Sequence, residues 1–282
     1  MVKVANAPRN FYTASQAIKK LGMPRNTFFN YVRSGKIKKV VPPGQKEGYY
    51  LKADIDKLAQ ARELFTLEYA ADTDTSTFER ATEEDMRAIY ELCVHLWGVM
   101  GTPSYEARLG EYKANPYTYY VVKQDGIVVG FLSLTPFKEE SLKAFMGETY
   151  EHVIEGPGSI EPFVSGKPIE SLFLDIGVRR GLRKGTKYGM RLIQGGIEVL
   201  EDFAKQGNIV KKLVATSSVP DGINLCKGLG FKELPLLPGS ARHRFELDLE
   251  TSNLPHLKKY QGIVKKTKSK KTSNNQVDNK IH

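Results

Sequence analysis

Between Leu172 and Leu200 an apolar, strand-like run passes through Arg180, Arg183, Lys184, Gly185, Thr186 and Lys187 into Tyr188, Gly189 and an amphipathic stretch. Residue types in this order can hold a phosphate. The amides of a helix's first turn lack intrahelical acceptors and point ahead of the helix, glycines admit a close approach that a Cβ would block, and the cations add charge. The same composition also suits a solvated basic turn between a buried strand and a surface helix, and the loop alone does not choose. A second group lies near the N-terminus, where Arg25, Asn26, Thr27, Asn30, Arg33 and Lys36 collect on and just after the polar side of a short helical pattern. Side chains of these types can reach base edges and phosphates in a DNA major groove.

The elements around that second group are short. In FYTASQAIKKLGMPRNTFFNYVRSGKI, Thr13 or Ser15 can cap a first helix whose apolar side is Ala14, Ala17, Ile18 and Leu21. Gly22 and Met23 make the turn. Pro24 suits the start of a second helix, with Phe28, Tyr31 and Val32 as its apolar side. The text that follows predicts a strand, a turn containing Pro42, Pro43 and Gly44, a second strand at Tyr49–Leu51 and a helix from Asp54, that is, a small wing and a packing helix. Tyr12, Thr13, Gln16, Leu21, Gly22, Thr27, Tyr31, Arg33, Gly35 and Ile37 fall where the winged helix-turn-helix of the MerR and excisionase-like families has its motif residues. The segment resembles those families, and the resemblance implies that the second helix reads double-stranded DNA while the wing contacts its backbone. A helical module for protein contact or dimerisation is the competing reading.

Charge divides along the chain in a way that fits this. The 282 residues carry a net +10, but residues 1–66 hold 13 Lys/Arg against 4 Asp/Glu, residues 67–256 hold 21 against 27, and residues 257–282 hold 8 against 1. Basic ends suit a polyanion, while an acidic middle has separate business. Hydrophobic residues at 40% leave enough for a sizeable core. The N-terminus has no signal-like apolar run and no segment approaches a membrane span, so the expectation is a cytoplasmic protein without a membrane partner. Only Cys93 and Cys226 are present, which argues against a disulfide framework and a structural metal. The polar run at 72–77 marks a linker, giving expected boundaries of 1–66, a linker over 67–76, a main domain over 77–250 and a disordered, lysine-rich tail over 251–282.

The main domain reads strand, helix, helix, hairpin, strand, basic loop, helix, strand, helix, strand. Phe78 lies in the first strand, Thr82 can cap the first helix, and Met86, Ile89, Tyr90, Cys93, Leu96 and Trp97 form its buried stripe; His95 and Trp97 belong to packing rather than to a ligand site. Gln124-Asp125-Gly126 is a hairpin turn. Residues 138–168 predict one helix near 139–145 and then a Gly/Pro-rich loop, whose Glu148, Glu151, Glu155 and Glu161 either attract a cationic acceptor or belong to an ordinary solvated insertion.

Three phrases, TFERATEEDMRAIYEL, DGIVVGFLSL and LVATSSVPDGINLCKGLGFKEL, resemble the GCN5-related N-acetyltransferase (GNAT) family over residues 77–250. The resemblance implies an α/β (α+β) fold with a mixed, mostly antiparallel central sheet flanked by helices, and acetyl-CoA as acyl donor without a metal. Ile176, Val178, Arg183, Lys184, Gly185, Thr186, Lys187, Tyr188, Gly189 and Asn224 would bind the coenzyme A thioester. Family members carry a glycine where Lys187 stands, and the spacing from Val178 is one residue longer than usual. By the same resemblance Asp175 or Glu170 supplies the base that deprotonates an amine acceptor, with Asp175 the better match. A backbone N–H near Ile176–Val178 would stabilise the oxyanion. Cys226 occupies the place of the tyrosine that protonates the leaving thiolate; it either takes over that role or is a small, semi-buried packing residue, the thiolate then leaving with help from water, from Tyr188 or from no acid. The implied function is N-acetyl transfer to an amine by a chain with a DNA-binding module, working as a homodimer if it follows others of that kind. The alternatives are a transcription regulator whose GNAT-like domain senses coenzyme A without turnover, and transfer to aminoacyl-tRNA with the lysine tail on RNA.

Overall fold

The computed structural model of the chain describes residues 7–44, 47–59, 61–62, 76–147, 156–182 and 185–278, with side chains as far as Ser269. Most of the expected linker, Arg183, Lys184, Glu148, Glu151 and Glu155 lie outside the described residues. The chain divides into two compact units, 1–69 and 70–282.

In the first unit, β1 (Phe11–Tyr12) leads into α1 (Ala14–Leu21), which Thr13 starts with a reciprocal capping box: its hydroxyl accepts from the Gln16 N–H at 3.3 Å while the Gln16 side chain accepts from the Thr13 N–H at 2.9 Å. Gly22, at φ +57°, ends the helix in the left-handed conformation that favours glycine. Pro24 then precedes α2 (Arg25–Arg33). A core of Ala17, Leu21, Met23, Phe28, Ile37, Tyr50 and Ile55 joins both helices to β2 (Tyr50–Leu51) and α3 (residues 52–59). The wing differs from expectation. β2 pairs with β1, and among the described residues the arm after α2 pairs with the segment before β2 at a single bridge, Val40–Tyr49, beyond which Pro42 and Pro43 have no N–H to extend a ladder. The packing helix begins at 52, two residues earlier than predicted, since β2 is only two residues long.

The second unit is a seven-stranded mixed sheet. Its strands are β3 (Thr77–Arg80), β4 (Tyr119–Gln124), β5 (Ile127–Thr135), β6 (Ile169–Val178), β7 (Val210–Ser217), β8 (Lys232–Glu233) and β9 (His243–Asp248), in the order β3-β4-β5-β6-β7-β9-β8. Every pair is antiparallel except β6 with β7. A parallel pair needs a crossover, and α7 (Gly185–Lys205) provides it. Asp125 and Gly126, at φ +52° and +78°, close the predicted β4–β5 hairpin.

Helices cover both faces. On one, α4 (Asp85–Trp97) and α5 (Tyr105–Ala114) enclose Met86, Ile89, Leu92, Cys93, Tyr119, Val121 and Phe131. Thr82 does not cap α4 as predicted; Asp85 instead accepts from the Thr82 N–H and hydroxyl at 2.9 and 3.0 Å, a first-turn carboxylate being the stronger acceptor. On the other face α7 buries Leu192, Leu200, Phe203 and Ala204 against the sheet. Gly195 is required there, because a Cβ would lie 2.4 Å from the ring of Phe78. Between β5 and β6 the insertion carries α6 (Glu139–Met146), whose Phe145 packs on Phe173 of β6 with ring centres 4.4 Å apart. Arg244 and Arg242 donate to the carbonyls of Met146 and Gly147 at its C-terminus.

The expected disordered tail is the largest departure. Residues Pro255–Leu257 form a 3-10 turn and Lys258–Asp278 a helix, α9, that packs along α7. Leu257, Tyr260 and Val264 recur at helical spacing and enter the same core as Leu200 and Phe203. The Tyr260 hydroxyl donates to the Val210 carbonyl at 2.5 Å, Gln261 donates to the carbonyls of Leu249 and Ser252, and Thr267 donates to that of Ala204. Three apolar residues on one face, with hydrogen bonds beside them, outweigh a composition that alone favours disorder.

Candidate active site

The feature that organises the second unit is a split between β6 and β7. Their ladder runs from Ile169–Val210 to Phe173–Val214 and stops. Beyond it β6 continues to Val178 paired only with β5, while β7 continues to Ser217 paired with β9. The two strands therefore part over Leu174–Val178, leaving backbone groups on the β7 side of β6 without a ladder partner. At the same end of β6 the chain turns at Gly181, φ +80°, and enters α7. The helix begins at Gly185, close to where the sequence places it.

Alternation along β6 sorts its residues. Leu172, Leu174, Ile176 and Val178 pack into the core beneath α7, and Phe173, Asp175 and Gly177 lie on the α4–α5 side. Gly177 has to be glycine, since a Cβ would come within 2.6 Å of both Leu96 and Phe131. Asp175 is half-buried. Burial, the largest influence on it, raises its pKa above that of an ordinary aspartate, while the charge of Arg108 and the N–H of Ile176 work in the other direction.

The rest of the expected site residues are spread around this split. Glu170 sits five residues back, roughly 17 Å along the strand, in the part still paired with β7. It is exposed there and binds Lys211 at 2.6 Å, so the structure does not bring it together with Asp175. Ile176 and Val178 lie on the parted segment. Thr186 and Lys187 are exposed in the first turn of α7, and Tyr188 is buried in the core. Among the described residues, a Cβ at Gly185 or Gly189 would meet Val178 alone, at 4.0 and 3.9 Å, which is ordinary contact. The fold itself thus has no steric need for glycine at either position. Arg180 donates to the Leu96 carbonyl at 3.1 Å and ties the end of β6 to the C-terminus of α4. Cys226 lies in α8 (Pro220–Gly228), buried in the core on the α7 side, and burial pushes its thiol up to about 11; Asn224 is exposed on the same helix.

Sequence reasoning missed the groups gathered beside Asp175. Arg108, Glu111 and Tyr119 are all buried, and Cys93 joins them from α4. The Tyr119 hydroxyl donates to Glu111 Oε2 at 2.5 Å and accepts from Arg108 Nη1 at 3.4 Å. Burial opposes the charge of Arg108, yet Tyr119, Cys93, Asp175 and Glu111 outweigh it and hold its pKa above the usual arginine value. Burial raises the Cys93 thiol to about 12, so it stays protonated, and it raises Tyr119 too, helped by Glu111. The available signal was the pair Arg108 and Glu111, one turn apart on a short helix rich in charged residues. Such a pair reads as solvent-facing unless the sheet beneath it is known to offer a tyrosine.

In the first unit, Arg25, Asn26, Asn30, Arg33 and Lys36 are exposed and Thr27 is half-buried. Arg33 donates to Asn30 Oδ1 at 2.7 Å, Arg25 lies over the ring of Phe29 and Lys36 over that of Tyr31. No described helix is long and apolar enough to cross a membrane.

No family model matches the chain, and no curated protein matches it. Solved structures do resemble it. The loading GNATL domain of CurA from Lyngbya majuscula is 16% identical, with 62% of this chain and 98% of that one covered and a TM-score of 0.48. Ribosomal-protein-alanine N-acetyltransferase from Brucella melitensis is 20% identical, covering 60% and 96%, with a TM-score of 0.38. The N-acetyltransferase from Staphylococcus aureus Mu50 is 16% identical, covering 62% and 99%, with a TM-score of 0.41.

Proposed function

We propose that the second unit is an acyltransferase of the GNAT type, moving an acyl group, acetyl in the first instance, from a coenzyme A thioester to an amine. One observation supports this above the others: β6 leaves β7 just past Phe173, and the first turn of α7 starts from the same end of β6. A parted parallel pair exposes strand amides that can bind an extended pantetheine-like chain and a thioester oxygen. A helix N-terminus preceded by Arg and Lys binds a pyrophosphate. Glycine at 185 and 189, unneeded by the packing, leaves room for that approach.

In this reading Asp175 takes the proton from the attacking nitrogen as the N–C bond forms, and the C–S bond breaks to release coenzyme A. A raised pKa makes its carboxylate a stronger base than a free aspartate. Glu170, held by Lys211, has no part in this step. Calorimetry with acetyl-CoA, followed by thiol release across a panel of amines, tests the proposal: absence of binding heat overturns it.

A second reading is a coenzyme A sensor without turnover. Cys226 favours it. This thiol is buried, and at a pKa of about 11 it is a weaker acid than a free thiol, so it is a poor proton donor to a leaving thiolate. Binding of acetyl-CoA with no thiol release for any amine would decide for the sensor.

For the first unit we propose duplex DNA binding through the exposed side of α2. The support is four exposed polar or basic residues at 25, 26, 30 and 33 on a helix whose opposite side carries Phe28 into the core, with exposed Lys36 just after it. In the full chain, Arg25→Ala with Arg33→Ala should weaken duplex binding at least tenfold and lower its salt dependence, leaving acetyl-CoA binding unchanged.

A further inference from the structure

Tyr119, Ser133 and Asp175 are direct partners across β4, β5 and β6. Their side chains form one row on the α4–α5 face, at strand spacings of about 4.8 Å. Arg108 and Glu111, one turn apart on α5, close over that row. Arg108 bonds the Tyr119 hydroxyl, and its guanidinium carbon lies 6.0 Å from the centre of the Phe131 ring, whose strand partner is Gly177, two residues beyond Asp175. The arginine is only 5% exposed, and among the described residues its Nε has no hydrogen-bond acceptor.

Holding a guanidinium this far from water is costly, and a hydrophobic side chain of similar volume would serve stability as well or better. Its electrostatic neighbours indicate what it serves. Gathered here with Asp175 are Cys93 from α4, Arg108 and Glu111 from α5, and Tyr119 from β4, and of these Arg108 is the one whose charge lowers the Asp175 pKa. Arg108 is the single cation among them. Cys93 and Tyr119 stay protonated, and Glu111 is engaged with Tyr119.

We propose that Arg108 is a positioning residue, fixed by Tyr119 and Glu111, that keeps the Asp175 carboxylate ionised at the end of β6 that has parted from β7. This deepens the acyltransferase reading and rests on it for the role of Asp175 as base. The electrostatic part stands on its own and can be measured without turnover. An ionised carboxylate is the form that can accept a proton from an amine. Without the cation, burial alone would favour the neutral acid.

The test uses the full chain with 13C-labelled aspartate, the Asp175 carboxyl resonance being identified by its loss in Asp175→Asn. In Arg108→Gln the titration midpoint of Asp175 should move to higher pH. The acidic limb of kcat/KM should move with it, so that a rate measured on that limb falls about tenfold for each pH unit moved. Arg108→Lys, which keeps the charge, should leave midpoint and limb close to the wild type. If Arg108→Gln does not fold, Arg108→Gln with Glu111→Gln removes the cation together with its neighbouring anion, leaves the net charge unchanged, and should still move the midpoint to higher pH. A midpoint unchanged by loss of the cation overturns the inference. A midpoint that moves in a chain that releases no thiol upholds the electrostatic role and overturns the acyltransferase reading instead.

Discussion

The two faces of the central sheet are built on different terms. Beneath α7 the contacts are apolar almost throughout, from Leu172 and Leu192 to Phe203 and Phe245. Beneath α4 and α5 the apolar residues share the space with Tyr119, Ser133, Asp175, Arg108 and Glu111, all buried or half-buried. Apolar contacts on the first face stabilise the fold directly. A buried charge cluster on the second adds little stability or costs some. On the acyltransferase proposal, one face keeps the unit folded and the other serves the chemistry.

Substitutions can break that division. The largest expected effect is at Asp175. Asp175→Asn should lower kcat/KM for acyl transfer by roughly 10²–10⁴-fold, measured by thiol release. It should also make the protein more stable. The folded-state pKa of Asp175 is raised, so the folded chain holds this proton to higher pH than the unfolded chain does. Stability from this group is then present below the ordinary aspartate range, falls as pH rises through the raised value, and is lost at neutral pH. Asparagine removes that loss. Denaturant titrations should find the variant more stable near pH 7, with the gap closing on acidification. A variant that lost stability as well as activity would erase the contrast between the faces.

Leu192→Ala on the α7 face should do the opposite, costing about 2–5 kcal/mol while turnover per folded molecule changes little. Gly195→Ala forces a methyl group into the Phe78 ring and should cost about 1–3 kcal/mol by thermal or denaturant unfolding. The smallest effect expected is at Lys259, which binds buried Glu201 at 2.5 Å from a mostly exposed position. Lys259→Met should cost about 1 kcal/mol, solvent screening having already weakened the pair.

The contrast between the faces was only half legible in the sequence. The succession of elements along the chain, the Asp125-Gly126 turn, a cap at Thr13 or Ser15 and the stripe Met86, Ile89, Cys93 follow from local spacing and turn chemistry, and the structure has these elements, with Thr13 as the cap. Asp175 was legible only through a motif. Its neighbours were not, because Arg108 and Tyr119 meet across elements, and no local pattern marks an i, i+3 charged pair as buried. The helix at 258–278 was hidden for another reason. Seven lysines between 258 and 271 dominate the average, while the contacts that decide the matter involve Leu257, Tyr260, Val264 and Thr267 against residues about 60 positions earlier.

That helix changes where the protein can be cut. The sequence invites a boundary at 250, after the last strand. A fragment ending there would expose the side of α7 around Leu200, Phe203 and Ala204 and would leave the Val210 carbonyl without the Tyr260 hydroxyl. Such a fragment should express poorly and aggregate. A cut or a fusion between 250 and 267 should carry the same cost, so the folded unit includes this helix, one element later than composition alone would put its boundary.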